Sequence, residues 1–347
     1  MRIIQIDPRT ESLWQRLLDR VGGSIFHSPE WIKMLTETYG FEAEAYVVLD
    51  EYNEPIAGVP FCRIVDFLGH RLVALPFSDY CDPLVKEKHV WNSIVVKLSE
   101  AGWPVVVRCQ HNSLPLSDER FTVVKRAKWH GIDLRPNIDA LWNHMHDSAR
   151  RAVRKARQEG VTVEISRSAE ALRQFFEMHL KVRKYKYQLL AQPYKFFENI
   201  SRYFFQRDKG FLLLANHNNK IVAGVLFLGW KDTIYYKYNA SYSEFLPLRP
   251  NNLLVWEGIA HAKAQGCTRW DFGLSDCDQE GLLRFKRHFG AEERDLYFLR
   301  YMPDPSFNVA DESIRNLLTN LTFLLTDPLV PDRITEAGGE LLYRFFA

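Results

Sequence analysis

The clearest hydrophobic pattern in the chain is a pair of apolar segments that repeat each other. Tyr46–Phe61 has the sequence YVVLDEYNEPIAGVPF, Leu212–Phe227 has the sequence LLLANHNNKIVAGVLF, and the two align without a gap. In each segment, two runs rich in Val, Leu, Ile and Phe flank a polar turn, at Asn53 in the first and at Asn218 and Asn219 in the second. Apolar runs on both sides of such a turn predict a β-hairpin. The sequence therefore predicts two equivalent hairpins.

The elements predicted around the two hairpins follow the same order. A helix precedes each hairpin, a longer helix follows it, and a short apolar strand closes the unit. The predicted helices are Ser28–Tyr39 and Trp91–Glu100 in the first half, and Tyr194–Phe205 and Asn252–Gln265 in the second. A repeat with so long a period indicates two copies of one domain. The order predicts an α/β (α+β) fold in which each copy has a mixed, mostly antiparallel sheet flanked by helices.

The repeat also sets the predicted domain boundaries. We predict a first domain at residues 1–140, a second domain at residues 141–305, and a helical tail at residues 306–347 that packs on the domains. Clefts at domain interfaces are preferred ligand sites, and we expect the catalytic cleft to involve the second domain.

Composition limits the class of protein. The 347 residues are 46% hydrophobic and 14% aromatic with a net charge of +2, which indicates large cores and excludes a strongly basic nucleic-acid binder. The five cysteines show no metal-ligand spacing, and no metal site is expected. The sequence shows neither a signal-peptide core nor an apolar run long enough to span a bilayer. We expect a cytoplasmic protein, either free or at the inner face of the membrane.

Positive charge is concentrated in one segment between the two halves. Residues 139–160 predict one or two helices with an apolar stripe at Ala149, Val153 and Ala156. A cationic face of the same helix comprises Arg150, Arg154 and Arg157. Because arginine pairs well with phosphate, this face is a candidate for holding a tRNA end, a diphosphate or an anionic surface. The alternative is a solvated helix face.

Four strings of the second half occur in a recognisable order. They are SARRAVRKARQEG at 148–160, PNNLLVW at 250–256, DFG at 271–273 and GLLRFK at 281–286. In this order the chain resembles the FemAB-like family of tandem GNAT-fold transferases, which includes the Fem peptidyltransferases. The resemblance runs from about Phe26 to Arg300. It implies two GNAT-like domains and the transfer of an acyl or aminoacyl group to an amine.

The resemblance also implies the kinds of substrate. The expected acceptor is an amine-bearing cell-envelope precursor, either a peptidoglycan precursor or a glycoconjugate. No tightly bound cofactor is expected, and the acyl donor is aminoacyl-tRNA, through its acceptor end, or acyl-CoA. Two alternatives stay open: an acyl-CoA-dependent N-acyltransferase of polysaccharide or small-molecule biosynthesis, and a non-catalytic scaffold of an envelope-synthesis complex. The oligomeric state is also open.

Two departures from the family pattern bear on the donor. The charged helical-hairpin insertion of tRNA-using members is absent from the sequence, which weakens that mode of tRNA binding. The segment Leu248–Leu253 lacks the glycines with which acetyl-CoA-using GNAT domains approach pyrophosphate, which weakens conventional coenzyme A binding.

The catalytic candidates follow from the resemblance. In the Fem-like pattern a Phe-Lys pair, here Phe285 and Lys286, places the lysine at the reacting carbonyl, where a fixed cation stabilises the oxyanion. We expect Lys286 in an exposed or cleft position, and the alternative is a solvated helix lysine. Asp271, at a strand end, is a candidate for orienting the amine or accepting its proton, and the alternative is a turn-forming aspartate next to Gly273.

The remaining candidates are expected to bind substrate. Arg249 and Asn251 precede the second long helix. Arg249, together with the basic helix, is expected to anchor phosphates, and Asn251 is expected to bind substrate. Two tyrosines of the strand after the second hairpin are expected to share one face. The other candidates lie in a run of alternating cations and aromatics and in a loop of the first half. These further residues are Tyr236, Tyr238, Arg183, Asp79 and Tyr80.

Overall fold

The computed structural model divides the chain into two compact units. It describes residues 1–67, 69–304 and 307–347, and for residues 307–313 it describes the backbone alone. Unit 1 comprises Met1–Ala127, Asp295–Asn320 and Arg344–Ala347, and unit 2 comprises Lys128–Arg294 and Leu321–Tyr343. Each unit thus combines segments that are distant in sequence, whereas the predicted division at 140 and 305 was linear. The predicted boundary between 305 and 306 lies outside the described residues.

Unit 1 begins with a strand and two helices, followed by three strands, a helix and a fifth strand. These elements are β1 (Arg2–Ile6), α1 (Ser12–Val21), α2 (Pro29–Tyr39), β2 (Glu42–Leu49), β3 (Pro55–Asp66), β4 (Gly69–Val73), α3 (Lys88–Ser99) and β5 (Val105–Cys109). The start of α2 follows from its sequence, because the Ser28 hydroxyl accepts a hydrogen bond from the Trp31 N–H at 3.1 Å and Pro29 occupies the first helical position.

The middle of the chain forms most of unit 2. The elements are β6 (Phe121–Asp133), α4 (Ile138–His144), α5 (Asp147–Gln158), β7 (Thr162–Ser166), α6 (Ala169–Lys181), α7 (Tyr194–Tyr203), β8 (Gly210–His217), β9 (Lys220–Trp230), β10 (Thr233–Ser241), α8 (Pro250–Ala264), β11 (Arg269–Asp276) and α9 (Glu280–His288). A π-helical segment, Val182–Lys186, continues α6. The chain then forms β12 (Glu292–Tyr301), α10 (Phe307–Leu325) and α11 (Asp332–Leu342).

Both units have a mixed, mostly antiparallel sheet, which confirms the predicted fold class. The strand order is β1-β2-β3-β4-β5-β12 in unit 1 and β7-β8-β9-β10-β11-β6 in unit 2. The repeated segments are antiparallel hairpins, β2–β3 and β8–β9, as predicted. One parallel pair follows each hairpin, β4–β5 in unit 1 and β10–β11 in unit 2. The two halves therefore share one topology as well as one sequence pattern.

The repeated glycine of the two hairpins has a packing role. A Cβ added at Gly58 would lie 2.8 Å from Cδ2 of Leu17, and one added at Gly224 would lie 2.9 Å from Cδ2 of Phe175. These distances are below van der Waals contact, so the glycine lets a side chain of α1 in unit 1, and of α6 in unit 2, approach the strand closely. The repeat thus preserves a helix-on-sheet contact.

The core of unit 2 fixes the helices that carry the candidate site. The apolar stripe of α5 is buried as predicted, and it packs with residues of β8, β9 and α8 in one cluster. Phe285 of α9 packs against the same cluster. Among the described residues, no helix is long and apolar enough to cross a membrane.

Candidate functional site

A cavity of about 440 Å³ lies within unit 2. Its walls are one face of α5, one face of α9, and the turn that leads into α8. Its size falls in the range of small-molecule sites.

The face that α5 presents to the cavity is set by the core. Because the apolar stripe faces inward, the neighbouring positions at i, i+3, i+4 and i+7 form the wall. These positions are Ser148, Arg151, Ala152 and Lys155. The two small side chains leave room between the two cations, so the wall is recessed and positively charged.

The other walls add two more cations. Arg249 adopts a left-handed conformation, φ 62° and ψ 35°, at the junction where Pro250 begins α8. This turn brings Arg249 and Asn252 to the cavity, at the helix N-terminus, where the helix dipole favours an anion. Arg284 and Phe285 of α9 complete the opposite side.

The lining carries positive charge without compensating acids. Among the described residues, the lining includes four cations and no aspartate or glutamate. In the part of the chain that the structure describes, none of the four lies within 4.0 Å of a carboxylate, although most other arginines of the unit are paired. The cations are Arg151, Lys155, Arg249 and Arg284. A cavity of this kind is suited to a phosphate or diphosphate.

One end of the cavity holds a serine between two histidines. The Ser148 hydroxyl oxygen lies 2.8 Å from Nδ1 of His146 and 3.0 Å from Nδ1 of His288. The two imidazole rings stack at 4.4 Å with planes 14° apart. Burial first, and then the positive charge of Arg284, lower the pKa of His288 below its ordinary value.

Lys286 is buried, not in an exposed or cleft position as expected. Its side chain is 2% exposed, and its ammonium donates to the carbonyl oxygens of Phe272, Gly273 and Leu274 at 2.9, 3.1 and 3.2 Å. Three carbonyl acceptors match the three N–H donors of an ammonium. The lysine therefore holds α9 to β11, and its predicted role at the oxyanion stays a prediction.

Asp271 lies in the same buried segment and shapes the strand. It is 3% exposed, and its Oδ1 accepts a hydrogen bond from the Gly273 N–H at 2.6 Å. Gly273 has φ 65°, which glycine adopts without strain. The geometry matches the turn-forming alternative named above, and Asp271 does not line the cavity.

The predicted arginine face of α5 makes contacts within unit 2 and does not line the cavity. Arg150 pairs with Asp147, and Arg157 donates to Glu257 at 2.7 Å. The guanidinium of Arg154 lies over the ring of Trp142, 5.4 Å from its centroid. The structure favours the adjacent face of the same helix for binding an anion.

Asn251 links the start of α8 to β10 through its side chain. Its Nδ2 donates to the Ser241 hydroxyl at 3.1 Å, and its Oδ1 accepts from Nδ2 of Asn239 at 3.2 Å. Of the predicted pair, Arg249 lines the cavity and Asn251 does not. The neighbouring Asn252 lines the cavity instead.

The two tyrosines of β10 do not share one environment. A bulge between Tyr236 and Tyr238 shifts the pairing with β9, and this reverses the alternation of side chains expected from a regular strand. Tyr236 packs on Trp270 and Phe272, whereas Tyr238 packs on rings of α6 and α7. Neither lines the cavity.

The last three candidates also lie away from the cavity. Arg183 of the π-helical segment donates from Nε to the Leu190 carbonyl at 3.0 Å. Tyr80 is buried in unit 1 between the rings of Phe26 and His111, and Asp79 precedes it in the same loop. The cavity therefore unites only Phe285 and Arg249 from the predicted set.

Sequence reasoning missed most of the lining. It counted Arg151 and Lys155 in the basic helix but chose the other face for binding, and it did not select Arg284, Ser148 or His288. The spacing of Ser148, Arg151 and Lys155 at i, i+3 and i+7 marks a helix face as clearly as the chosen one does. For α9, the string at 281–286 drew attention to Phe285 and Lys286 and not to Arg284 or His288.

A comparison with family models finds one domain in unit 2. Residues 143–287 match the acetyltransferase (GNAT) domain. The matched region includes all of α5, α8 and β11, and nearly all of α9. Among curated proteins, no sequence match is found.

Solved structures share the fold over nearly the whole chain. FemX superposes with a TM-score of 0.65 at 15% identity, covering 92% of this chain and 100% of its own. L-PGS from Bacillus licheniformis has a TM-score of 0.55 at 14% identity, covering 91% and 98%. A tandem GNAT protein from the clavulanic acid biosynthesis pathway has a TM-score of 0.56 at 9% identity, covering 88% and 99%. At these identities the likeness establishes a tandem GNAT fold.

Proposed function

We propose that this chain, whose residues 143–287 match a GNAT acetyltransferase domain and which shares the fold of FemX, moves an acyl or aminoacyl group from a phosphate-bearing donor to the amine of a cell-envelope acceptor. The observation that carries the proposal is the cavity of unit 2 with its four unpaired cations. Aminoacyl-tRNA and acyl-CoA are both activated acyl donors that carry several phosphates, and the cationic cavity is suited to those phosphates.

The cations and the helix terminus would act on the donor before any chemistry. Arg151 and Lys155 lie one turn apart on α5, and Arg249 stands at the N-terminus of α8. Together they can neutralise two phosphate groups, and the helix dipole adds to the attraction. Holding the donor this way fixes its carbonyl relative to the acceptor, which lowers the entropic cost of the bimolecular step.

Phe285 gives the cavity an apolar wall beside the cations. Such a wall suits the non-phosphate part of a donor, either a base or the acyl chain itself. The choice of an envelope acceptor rests on the resemblance to the Fem peptidyltransferases and on the shared fold of FemX.

The test combines a transfer assay with two matched double variants. The assay incubates the chain with a lysine-bearing peptidoglycan precursor and either alanyl-tRNA or acetyl-CoA, and reads the mass of the acceptor. A mass increase with one donor identifies it. No increase with either donor, for this acceptor and for an amino-sugar acceptor, would contradict the proposal.

The variants distinguish the two faces of α5. Arg151→Glu with Lys155→Glu should raise the donor KM about tenfold or more and flatten its salt dependence, because screened phosphate contacts are lost. Arg150→Glu with Arg154→Glu changes the same number of charges on the face that does not line the cavity, and should change KM far less. The reverse ranking would place the donor on the arginine face predicted from the sequence.

A further inference from the structure

The contacts around Ser148 determine which of its neighbouring groups donate hydrogen bonds and which accept them. His146 caps α5, and its Nδ1 accepts the Ser148 backbone N–H at 3.2 Å. A backbone N–H always donates, so Nδ1 of His146 carries no proton, and its neutral ring is protonated at Nε2. The Ser148 hydroxyl oxygen lies 2.8 Å from this same Nδ1, and the contact is favourable only if the hydroxyl donates its proton to it.

These donor and acceptor roles determine which nitrogen of His288 carries a proton. With its proton committed to His146, the Ser148 oxygen can only accept from Nδ1 of His288, 3.0 Å away. Nδ1 of His288 must therefore carry a proton, whether the ring is neutral or charged. Proton uptake and release by His288 are then confined to Nε2, which has no hydrogen-bond partner among the described residues.

Two further contacts hold the imidazole of His288 in place. The His146 backbone N–H donates to the His288 carbonyl at 2.9 Å, which ties the start of α5 to the end of α9. The stacked His146 ring covers one face of His288. His288 lines the cavity, so a base of fixed tautomer and fixed orientation stands at the wall that would hold the donor.

We propose that His288 is the general base of the transfer, with Ser148 and His146 as positioning residues. The step rests on the proposed function. The amine nitrogen attacks the donor carbonyl carbon and forms the C–N bond, and the C–O or C–S bond to the tRNA or coenzyme A breaks. The amine proton passes to Nε2 of His288, and then to the leaving oxygen or sulfur.

The charged surroundings favour the neutral base. The His146 ring that stacks on His288 is neutral, whereas four cations surround the base: Arg284 lies one turn earlier on α9, Arg151 and Lys155 face the cavity from α5, and Arg249 faces it from the turn before α8. Each of these positive charges disfavours the imidazolium, and the pKa of His288 is lowered, by burial first. The ring is therefore mostly unprotonated at neutral pH, as a base must be.

The first arm of the test needs no substrate. Two-bond ¹H–¹⁵N NMR of the histidine-labelled protein distinguishes the two neutral tautomers. His288 should show the Nδ1–H tautomer in the unaltered chain and a mixture in Ser148→Ala, with His288→Gln used to assign its signals. An Nε2–H tautomer in the unaltered chain would overturn the proposal, whatever the substrates are.

The second arm measures transfer with alanyl-tRNA or acetyl-CoA and the lysine-bearing precursor. His288→Ala should lower kcat about 10²-fold or more with little change in donor KM, and should abolish the acid limb of the pH profile. Added imidazole should restore part of the rate, which a purely structural role would not allow. His144→Ala is the matched control, because His144 is exposed and makes no hydrogen bond within the described residues.

The outcomes separate the two proposals. Full activity of His288→Ala, or a lost rate that imidazole does not restore with the acid limb unchanged, would show that His288 is not the base. A chain that transfers nothing to any acceptor would contradict the proposed function, and the tautomer result would then stand as a structural finding alone.

Discussion

At the scale of single residues, Lys286 shows how a buried charged group can hold two elements together, whatever its predicted role at the oxyanion. A cation that supports an oxyanion needs a donor for it, and here three carbonyls of β11 accept from the ammonium. The same contacts make the lysine a structural cross-link between α9 and β11. It therefore supports α9, whose neighbouring residues Phe285 and His288 line the cavity.

Lys286→Met should destabilise the protein. Methionine keeps much of the apolar stem but removes the donors, so the carbonyls of β11 lose their partners in a buried segment. The expected loss is about 2–4 kcal/mol in the free energy of unfolding, measured by urea titration. Arg287→Met, at an exposed neighbouring position, is the control. An unchanged midpoint for Lys286→Met would mean that water replaces the ammonium at little cost.

At the scale of elements, α5 shows what the sequence could and could not decide. The stripe of Ala149, Val153 and Ala156 predicted correctly which side is buried, because apolar periodicity reports burial directly. Cations flank that stripe on both sides, and only the packing of α9 decides which flank borders a cavity. The helix was therefore predictable, whereas the side that binds was not.

In β10, too, the strand was predictable from the sequence, but the side on which each side chain lies was not. The hairpins were predictable because a turn between two apolar runs is a local signal. A bulge depends on pairing with the neighbouring strand, and the sequence of residues 235–238 does not predict it. Both expected site tyrosines were placed by strict alternation, and a single extra residue separates them.

The C-terminal helix α11 is fastened to unit 2 through a buried lysine. Lys184, fully buried in the π-helical segment, donates to the Val330 carbonyl and to Oδ1 of Asp332, the latter at 2.9 Å. Tyr185 donates to the same carboxylate at 2.7 Å. Although burial opposes it, these hydrogen bonds lower the pKa of Asp332. The Asp332 carboxylate at the start of α11 thus supplies the counter-charge for the buried ammonium of Lys184.

Asp332→Ala should loosen this attachment by more than an ordinary surface change. The substitution leaves the Lys184 ammonium buried without its counter-charge, at a cost of about 2–4 kcal/mol. Hydrogen exchange in α11 should accelerate at least tenfold, with less effect in α5. Glu340→Ala, on the exposed side of α11, is the matched control. Equal exchange in both variants would show that packing alone holds the helix.

At the scale of the whole molecule, each unit buries a histidine that cannot easily take up a proton. In unit 1, Nε2 of His27 donates to the Asp82 carbonyl at 2.8 Å, and burial lowers the pKa of His27 to about 4. In unit 2, His179 lies 3.0 Å from Oε1 of Gln192, and burial lowers its pKa to about 3. Asp82 acts in the opposite direction, since burial raises the pKa of its carboxyl to about 6.

These shifts predict that the protein loses stability in mild acid. Below pH 6.5 the unfolded chain protonates both histidines while the folded chain does not, so their contribution falls as the pH drops toward 4. At pH 5 each of these two histidines costs about 2 kcal/mol, and buried His130, whose pKa is also lowered to about 4, costs about the same. Asp82 offsets about 1 kcal/mol because its folded form binds the extra proton, so the net loss from pH 7.5 is about 5 kcal/mol. Urea unfolding followed by circular dichroism at the two pH values measures it.

The variants assign that loss to its source. His179→Gln keeps a polar side chain next to Gln192 and removes one titration, so the difference in unfolding free energy between pH 7.5 and pH 5 should shrink by about 2 kcal/mol. The same change at exposed His89 should leave the difference as it is. If His179→Gln keeps the full pH dependence, or if the unaltered chain is more stable at pH 5, then carboxylates rather than buried histidines govern the acid limit of this fold.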